Sequence, residues 1–470
     1  MLSNYLIPME ELIANYYNPN DLDSIVKYAK KMERNVLRSF LLGDEVELLN
    51  ENKGDFGNLL EAIYFKVKNN NESRPDIPES KVEIKTGQVW SKKERGAKIP
   101  SDVIKERLKI SMIDYMKGFE AESLTSSSLW AKLENILLLL FHRDTSPIRI
   151  DQTCVYSNLL NWDEAEILQM SQDWLYIKNK VNSGEANNLS EGDTWYLGAC
   201  TAGAKAEITT LAPKGVRAKV RAFSLKNSYL NYKLGFRHEV KGPKAILIPG
   251  HEQTLDNYIL NNMNVFFDKP LNEIALLIKR PELSETNAKN KTSKVARMLL
   301  EEVAGKPTKS VTTNFEQFRK AGVIEKTVTL EKTGTLKESV SFPAFKWIAL
   351  AEEDEWENSN LYEIVTSKFF FTVFKKTSSN YPIYVGCFFW TMPDEDINEM
   401  QRIWNDTKEK VKRRRYNNFM GIADSHVGHV RPHGTKGETY PTPEGGEEGK
   451  KSFWLNSHYI KKEISKKLNL

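Results

Sequence analysis

Residues 54–86 read GDFGNLLEAIYFKVKNNNESRPDIPESKVEIKT, and the fold is decided there. From Lys81 to Thr86, Val82 and Ile84 alternate with Glu83 and Lys85, the period-two pattern of a strand that turns both charged side chains to one face. Upstream, Leu59, Leu60, Ile63 and Tyr64 recur at helical spacing and carry Glu61 with them. Pro75 and Pro78 frame Asp76 in a turn just before the strand. This layout predicts that Glu61, Asp76 and Glu83 converge. Three carboxylates at one point repel each other unless a divalent cation sits between them, and hard oxygen ligands suit Mg2+. Lys85 beside such an ion would orient an attacking water or neutralise developing negative charge. A solvated edge strand, charged against aggregation, fits the same spacing.

The ordered set KGDFGNLLE (53–61), Pro75–Asp76 and VEIKT (82–86) resembles the PD-(D/E)xK nuclease core of the MutH mismatch-repair endonuclease and of GATC-cutting type II restriction endonucleases related to it. The likeness continues through DWLYIKNKVNSGEANNLSEG (173–192), YLGACTAGAKA (196–206) and RAFSLKNSYL (221–230), so it spans about the first half of the chain. It implies Mg2+-dependent hydrolysis of double-stranded DNA at GATC, 5′ to the guanine. Asp76 and Glu83 would hold the metal, Glu61 would help through the metal or its water, and Lys85 would orient the nucleophile. Lys132 stands in a short Lys-Leu before an apolar strand, where the family has a lysine that contributes to the active site. The segments Gly198–Ala206 and Arg217–Tyr229 match parts that enter the DNA grooves. Lys205, Arg221 and Lys226 are the implied contacts, since Arg and Lys pair with guanine edges and phosphate oxygens. The chain departs from the family at Cys200 and Thr201, which replace an Arg-Pro-Lys in a shortened loop, and at Ser224, which replaces an aromatic residue.

At 470 residues the chain is long enough for two or three domains. Hydrophobic residues make up 40% and charged residues 28%, a balance that fits a globular protein. A net charge of +4 and a pI near 8.5 are compatible with a polyanionic partner without requiring one. Cys154, Cys200 and Cys387 lie far apart with no CxxC, which argues against a disulfide framework or a zinc site and for the cytoplasm. The N-terminal MLSNYLIPMEELIANYY lacks a secretory pattern, and the longest apolar run, Ile136–Phe141, is too short to span a bilayer. Neither a membrane nor a nucleotide cofactor is expected.

Asp21–Leu42 reads as a helix with Lys27, Lys30, Lys31 and Arg34 on one face. Lys105, Arg107 and Lys109 lie in the segment after the core strand, where they fit either phosphate contact or simple alternation along a strand. His142 has no partner at metal spacing nearby and reads as structural. Asp163–Glu185 predicts an amphipathic helix that buries Ile167, Met170, Trp174, Ile177 and Val181.

Residues 236–255, FRHEVKGPKAILIPGHEQTL, break the pattern as a linker does. Beyond them the chain repeats itself. Ile167, Met170, Trp174, Lys178, Lys180 and Val181 recur 230 residues on as Ile397, Met400, Trp404, Lys408, Lys410 and Val411. Phe223, Leu225 and Tyr229 recur at the same shift as Phe453, Leu455 and Tyr459. The second copy of VEIKT reads VIEKT: Lys326 stands for Lys85, Ile324 replaces Glu83, and Gln317 falls at the position of Asp76. Glu301 keeps the place of Glu61, but one carboxylate is too few to hold the ion.

The second half nevertheless keeps cations, in the run Lys412, Arg413, Arg414 and Arg415 and in HVGHVRPH (426–433), where Arg431 and His433 suit a groove-binding loop. A metal site at His426, His429 and His433 is the weaker reading of that motif. Glu352–Glu357 reads as a solvated turn and Pro441–Lys451 as a flexible excursion.

The expectation is a mixed α/β protein of two MutH-like domains in tandem. Residues 1–235 would be catalytic, 236–255 a linker, and 256–470 a catalytically degenerate DNA-binding effector that gives two GATC sites per active complex. A nicking endonuclease of mismatch repair and a non-catalytic DNA-binding protein are the alternatives.

Overall fold

Strand β1, Val82–Lys92, continues the VEIKT alternation past Thr86 and takes a central place in its sheet. The computed structural model describes residues 16–41, 56–67, 74–92, 101–202, 208–236, 253–285, 291–303, 316–435 and 437–470. They fall into two units, Met1–Leu189 with Tyr196–His238, and Ser190–Trp195 with Glu239–Leu470. Most of the expected linker, residues 237–252, lies outside the described residues.

In the first unit, helix α1 (Leu22–Lys30) starts at Asp21, whose carboxylate accepts the Asp23 N–H. It ends well before Leu42, which corrects the longer helix read from the sequence. Arg34 takes φ 65°, its N–H donates to Cys154 O, and the Cys154 N–H donates to Asn35 O, so this backbone is drawn onto a strand rather than into another helical turn. Helix α2 (Phe56–Leu59) passes into a π turn over Leu60–Tyr64, where the Phe65 N–H reaches back to Leu60 O at 3.2 Å.

Strand β2 (Ser101–Ile104) lies antiparallel to the far end of β1, from Val89 to Lys92, and β3 (Leu108–Met112) belongs to a second sheet. Helix α3 (Ser128–Leu133), capped by Ser127, runs straight into β4 (Asn135–His142). β4 is parallel to β1, and β5 (Thr153–Leu160) is antiparallel to β4, so the sheet order is β2-β1-β4-β5. Ile136–Phe141 is apolar throughout because both faces of β4 are covered. On one face Val82, Ile84, Leu137, Leu139 and Phe141 pack with Phe56, Leu60, Tyr64 and Ile25.

Helix α4 (Glu164–Asn182) opens on a capping box between Asp163 and Glu166 and buries Met170, Trp174, Ile177 and Val181, while Ile167 is only half-buried. The second sheet has the order β3-β9-β6, with β6 at Leu197–Thr201 and β9 at Arg221–Leu225. A hairpin of β7 (Thr209–Leu211) and β8 (Arg217–Lys219) precedes β9, and α5 (Asn227–Lys233) follows it.

The second unit contains α6 (Leu255–Asn264), α7 (Lys291–Val303) and α8 (Glu316–Ala321) ahead of β10 (Ile324–Leu330) and β11 (Val340–Ser341). Helix α9 (Asn360–Val365) leads to β12 (Phe369–Lys375), which is parallel to β10 and antiparallel to β13 (Ile383–Trp390). Then come α10 (Asp394–Lys412), β14 (Gly428–Pro432), β15 (Thr439–Pro441), β16 (Glu447–Gly449), β17 (Lys451–Leu455) and α11 (Ser457–Leu468). Whole elements keep the shift of 230: Thr153–Leu160 and Ile383–Trp390, Glu164–Asn182 and Asp394–Lys412, Arg221–Leu225 and Lys451–Leu455.

Two local readings are corrected here. The stretch Pro441–Lys451 is no open excursion, since β15 and β16 pair through a turn closed by the Thr442 N–H on Gly446 O. Glu353 is buried rather than solvated: its carboxylate accepts from the Asn360 N–H at 2.8 Å and from Trp404 Nε1 at 2.6 Å. The hexapeptide Ser190–Trp195 is also part of this unit's interior. Lys368 Nζ donates to Asp193 O and pairs with Asp256 at 2.8 Å, and a Cβ on Gly192 would meet Ser367 O at 2.8 Å.

Candidate active site

The site is built at the start of β1. Ile77 and Val82 exchange two backbone hydrogen bonds, of 2.9 and 3.0 Å, across a tight turn that Lys81 closes at φ 52°. Because β2 pairs with β1 only from Val89 onward, the Ile84 N–H on that edge is free for another acceptor, and Asp76 Oδ2 takes it at 2.8 Å. The Pro-Asp turn therefore folds back on the strand and sets Asp76 beside Glu83.

Glu83 is 1% exposed, on the face opposite the apolar pair. Its Oε1 accepts from Lys85 Nζ at 2.6 Å and from Lys132 Nζ at 3.3 Å. Lys132 arrives from the last turn of α3, which the chain leaves to enter β4, the strand next to β1. Glu83 Oε2 is buried without a hydrogen-bond partner. Burial raises the Asp76 carboxyl above the ordinary aspartate range, the charge of Glu83 raises it further, and the Ile84 N–H, Lys85 and Lys132 pull it back.

An orphaned carboxylate oxygen and a neighbouring carboxyl that is costly to ionise both favour a hard divalent cation, so Asp76 and Glu83 fit one. The expected trio is not assembled: among the described residues no group of three His, Cys, Asp or Glu side chains is arranged to hold a metal. Glu61 lies half-buried in the π turn, in the same stretch as the buried Leu60, Ile63 and Tyr64.

The other anticipated residues fall in three groups. Lys205 lies outside the described residues. Arg221 and Lys226, expected to face DNA, are instead buried. β9 is the middle strand of its sheet, covered on both faces, and Arg221 Nη1 donates to Ala199 O at 2.8 Å. Arg431 is exposed, with its guanidinium 4.4 Å over the Trp454 ring, and His433 is half-buried, with Nδ1 3.2 Å from Ser452 Oγ. Lys412 to Arg415 are exposed where α10 ends.

The three histidines go to separate partners, His426 to Asp396 and His429 to Asn456 as well as His433 to Ser452. Burial holds the His429 imidazole below its ordinary range. In the second unit Lys326 is turned inward and donates to Ser341 O at 2.6 Å, and burial pushes its ammonium down to about 8.

Sequence reasoning missed two arrangements. His142 has partners after all, Asp102 Oδ1 at 3.3 Å and Ser91 Oγ at 3.2 Å, brought by strand pairing rather than by sequence spacing. Asp173 is buried in the apolar stripe of α4 and accepts the Tyr196 and Leu197 N–H groups at 2.7 and 2.9 Å, fixing the start of β6. A carboxylate beside Trp174 in that stripe was the available signal.

Residues 65–173 match the family model of the DNA mismatch repair enzyme MutH. A type II restriction enzyme of Staphylococcus aureus, Sau3AI, is 30% identical over 478 aligned residues, which cover 89% of this chain and 94% of that protein. A mixed α/β fold that carries this domain defines a MutH-type nuclease, a hydrolase of double-stranded DNA. The chain belongs to the MutH-related type II restriction endonucleases. Among the described residues no helix is long and apolar enough to cross a membrane.

Proposed function

We propose that the chain is a cytoplasmic, Mg2+-dependent endonuclease that cuts both strands of GATC 5′ to the guanine. In this reading its first unit does the chemistry and its second unit holds another copy of the site. The observation that carries the catalytic part is Glu83, buried near the charge of Asp76, with two lysines on Oε1 and Oε2 unpartnered.

Asp76 and Glu83 would hold the cation, with Glu61 acting at one remove from it. The ion would supply charge to polarise the phosphodiester and lower the pKa of a water. Lys85 and Lys132 then have two tasks. Before substrate binds they neutralise Glu83; once the phosphate is in place their ammonium groups are set to orient the incoming water and offset charge on the phosphoryl oxygens. The Ile84 N–H keeps Asp76 in position. GATC as the target rests on the resemblance of the ordered motif set in the first half.

The second unit is read as a degenerate copy of the first, on the strength of the constant shift of 230 between matching elements. Ile324 stands where Glu83 would be, and Lys326 is turned inward on Ser341. Exposed Arg431, with half-buried His433 and the Lys412–Arg415 run, supports retained binding without chemistry.

The test is a plasmid digest with Mg2+. Discrete linear fragments support the proposal, open circles alone would point to a nickase, and no cutting would leave only a binding protein.

A further inference from the structure

The ribbon of β14 and β17 carries a cluster that the corresponding ribbon of the first unit lacks. His429 lies directly opposite Trp454, and Arg431 opposite Ser452. The alternating residues His429, Arg431 and His433 share one face, and all three converge on the indole of Trp454. The His429 ring stacks on it at 6.4 Å and 18°, the His433 ring meets it at 5.7 Å, and the Arg431 guanidinium lies 4.4 Å over it. Both histidines are tied from behind, His429 to Asn456 and His433 to Ser452.

Trp454 Nε1 is buried without a hydrogen-bond partner, although a buried indole N–H usually finds one. The ring is therefore held by stacking, and its orientation suits Arg431 rather than its own N–H. In the first unit the same strand pairing sets Gly198 opposite Ser224 and Cys200 opposite Ala222. Every residue of β9 is buried there, so the ribbon framework does not itself require an aromatic and cationic face.

We propose that Trp454 is a positioning residue that holds the exposed Arg431 guanidinium ready to read a base edge with two adjacent acceptors, a guanine in the major groove of duplex DNA. A guanidinium presents several N–H donors in a fixed fork that matches such an edge, and restraining it over an aromatic face reduces the freedom lost on binding. This rests on the effector reading above and adds the side chains that would give the second unit its sequence preference.

The experiment uses the full chain and a plasmid with one GATC site. A short GATC duplex, or the same duplex with the tetranucleotide permuted, is added in trans, and each rate is normalised to that variant's unstimulated rate. The quantity read is the ratio of stimulation by the two duplexes. Trp454→Leu and Arg431→Ala should each lower this ratio by about tenfold, while Trp454→Phe, which keeps a ring under the guanidinium, should retain most of it. A purely structural tryptophan would weaken both duplexes equally and leave the ratio intact, which overturns the inference. If Trp454→Leu fails to fold, Arg431→Ala decides, and full discrimination by that variant is equally contrary. If neither duplex stimulates the unaltered protein, the effector reading itself fails and this inference falls with it.

Discussion

Lys132 Nζ stands 3.3 Å from Glu83 Oε1 although 49 residues separate them in the chain. The contact follows from topology: α3 delivers Lys132 directly ahead of β4, and β4 lies parallel to β1 with Asn135 beside Val82. A parallel neighbour thus brings a second ammonium to the carboxylate that Lys85 already touches. Two lysines on one buried oxygen is a poor arrangement for stability alone. It suits a group that exchanges partners when phosphate and metal arrive.

Asp76→Ala and Glu83→Ala should each abolish cutting, by at least about a hundredfold for the loss of several kcal/mol of transition-state stabilisation. DNA binding without metal should hold or tighten, because negative charge has been removed. Single-turnover cleavage alongside fluorescence anisotropy separates the two effects.

Lys132→Ala should slow cutting less than Lys85→Ala, since Lys85 is the closer partner of Glu83 at 2.6 Å. The double variant should show non-additive losses, as expected for side chains on one shared atom. Additive effects in a double-mutant cycle would mean that Lys132 works elsewhere.

Activity should be lost in EDTA and restored by Mg2+ or Mn2+, yet survive thiol reagents. Cys154 and Cys200 are buried, and burial pushes the Cys154 and Cys387 thiols up to about 12, so little thiolate is available to react. Loss of activity with iodoacetamide would contradict this.

Lys326 gives a pH test of the second unit. Burial lowers its ammonium to about 8 from an ordinary 10.5, so the folded form binds fewer protons than the unfolded form between these values. Its penalty is present in full below about 8 and fades as pH rises toward 10.5. Unfolding free energies of the unaltered protein, from denaturant titrations, should gain on those of Lys326→Met across that window by on the order of 2 kcal/mol. Parallel curves would show that Lys326 is not held in a dry site.

Much of this was legible in the sequence, for identifiable reasons. Residues whose facing follows from local period were read correctly: Val82 and Ile84 turn to the core opposite Glu83 and Lys85, and Met170, Trp174, Ile177 and Val181 form the buried stripe of α4, with Ile167 half-buried. Residues whose surroundings come from distant chain were not. Arg221 reads as a cation available to DNA until β9 takes the middle of its sheet with every residue buried. His142 gains Asp102 only when β2 pairs with β1.

Binding of a second site should make itself felt in kinetics. A plasmid with two GATC sites should be cut about 5 to 150 times faster than one with a single site, the range of ordinary allosteric coupling. Neutralising Lys412 to Arg415 should reduce that acceleration and flatten its salt dependence. Equal rates across salt concentrations would make the second unit a structural support.

The most direct test is an end-mapped digest of supercoiled plasmid in Mg2+ by the unaltered protein and by Glu83→Ala. The account predicts linear fragments whose ends lie 5′ to the guanine of GATC on both strands, and no cutting by the variant. Nicked circles only, ends at other sequences, or undiminished cutting by Glu83→Ala would contradict it.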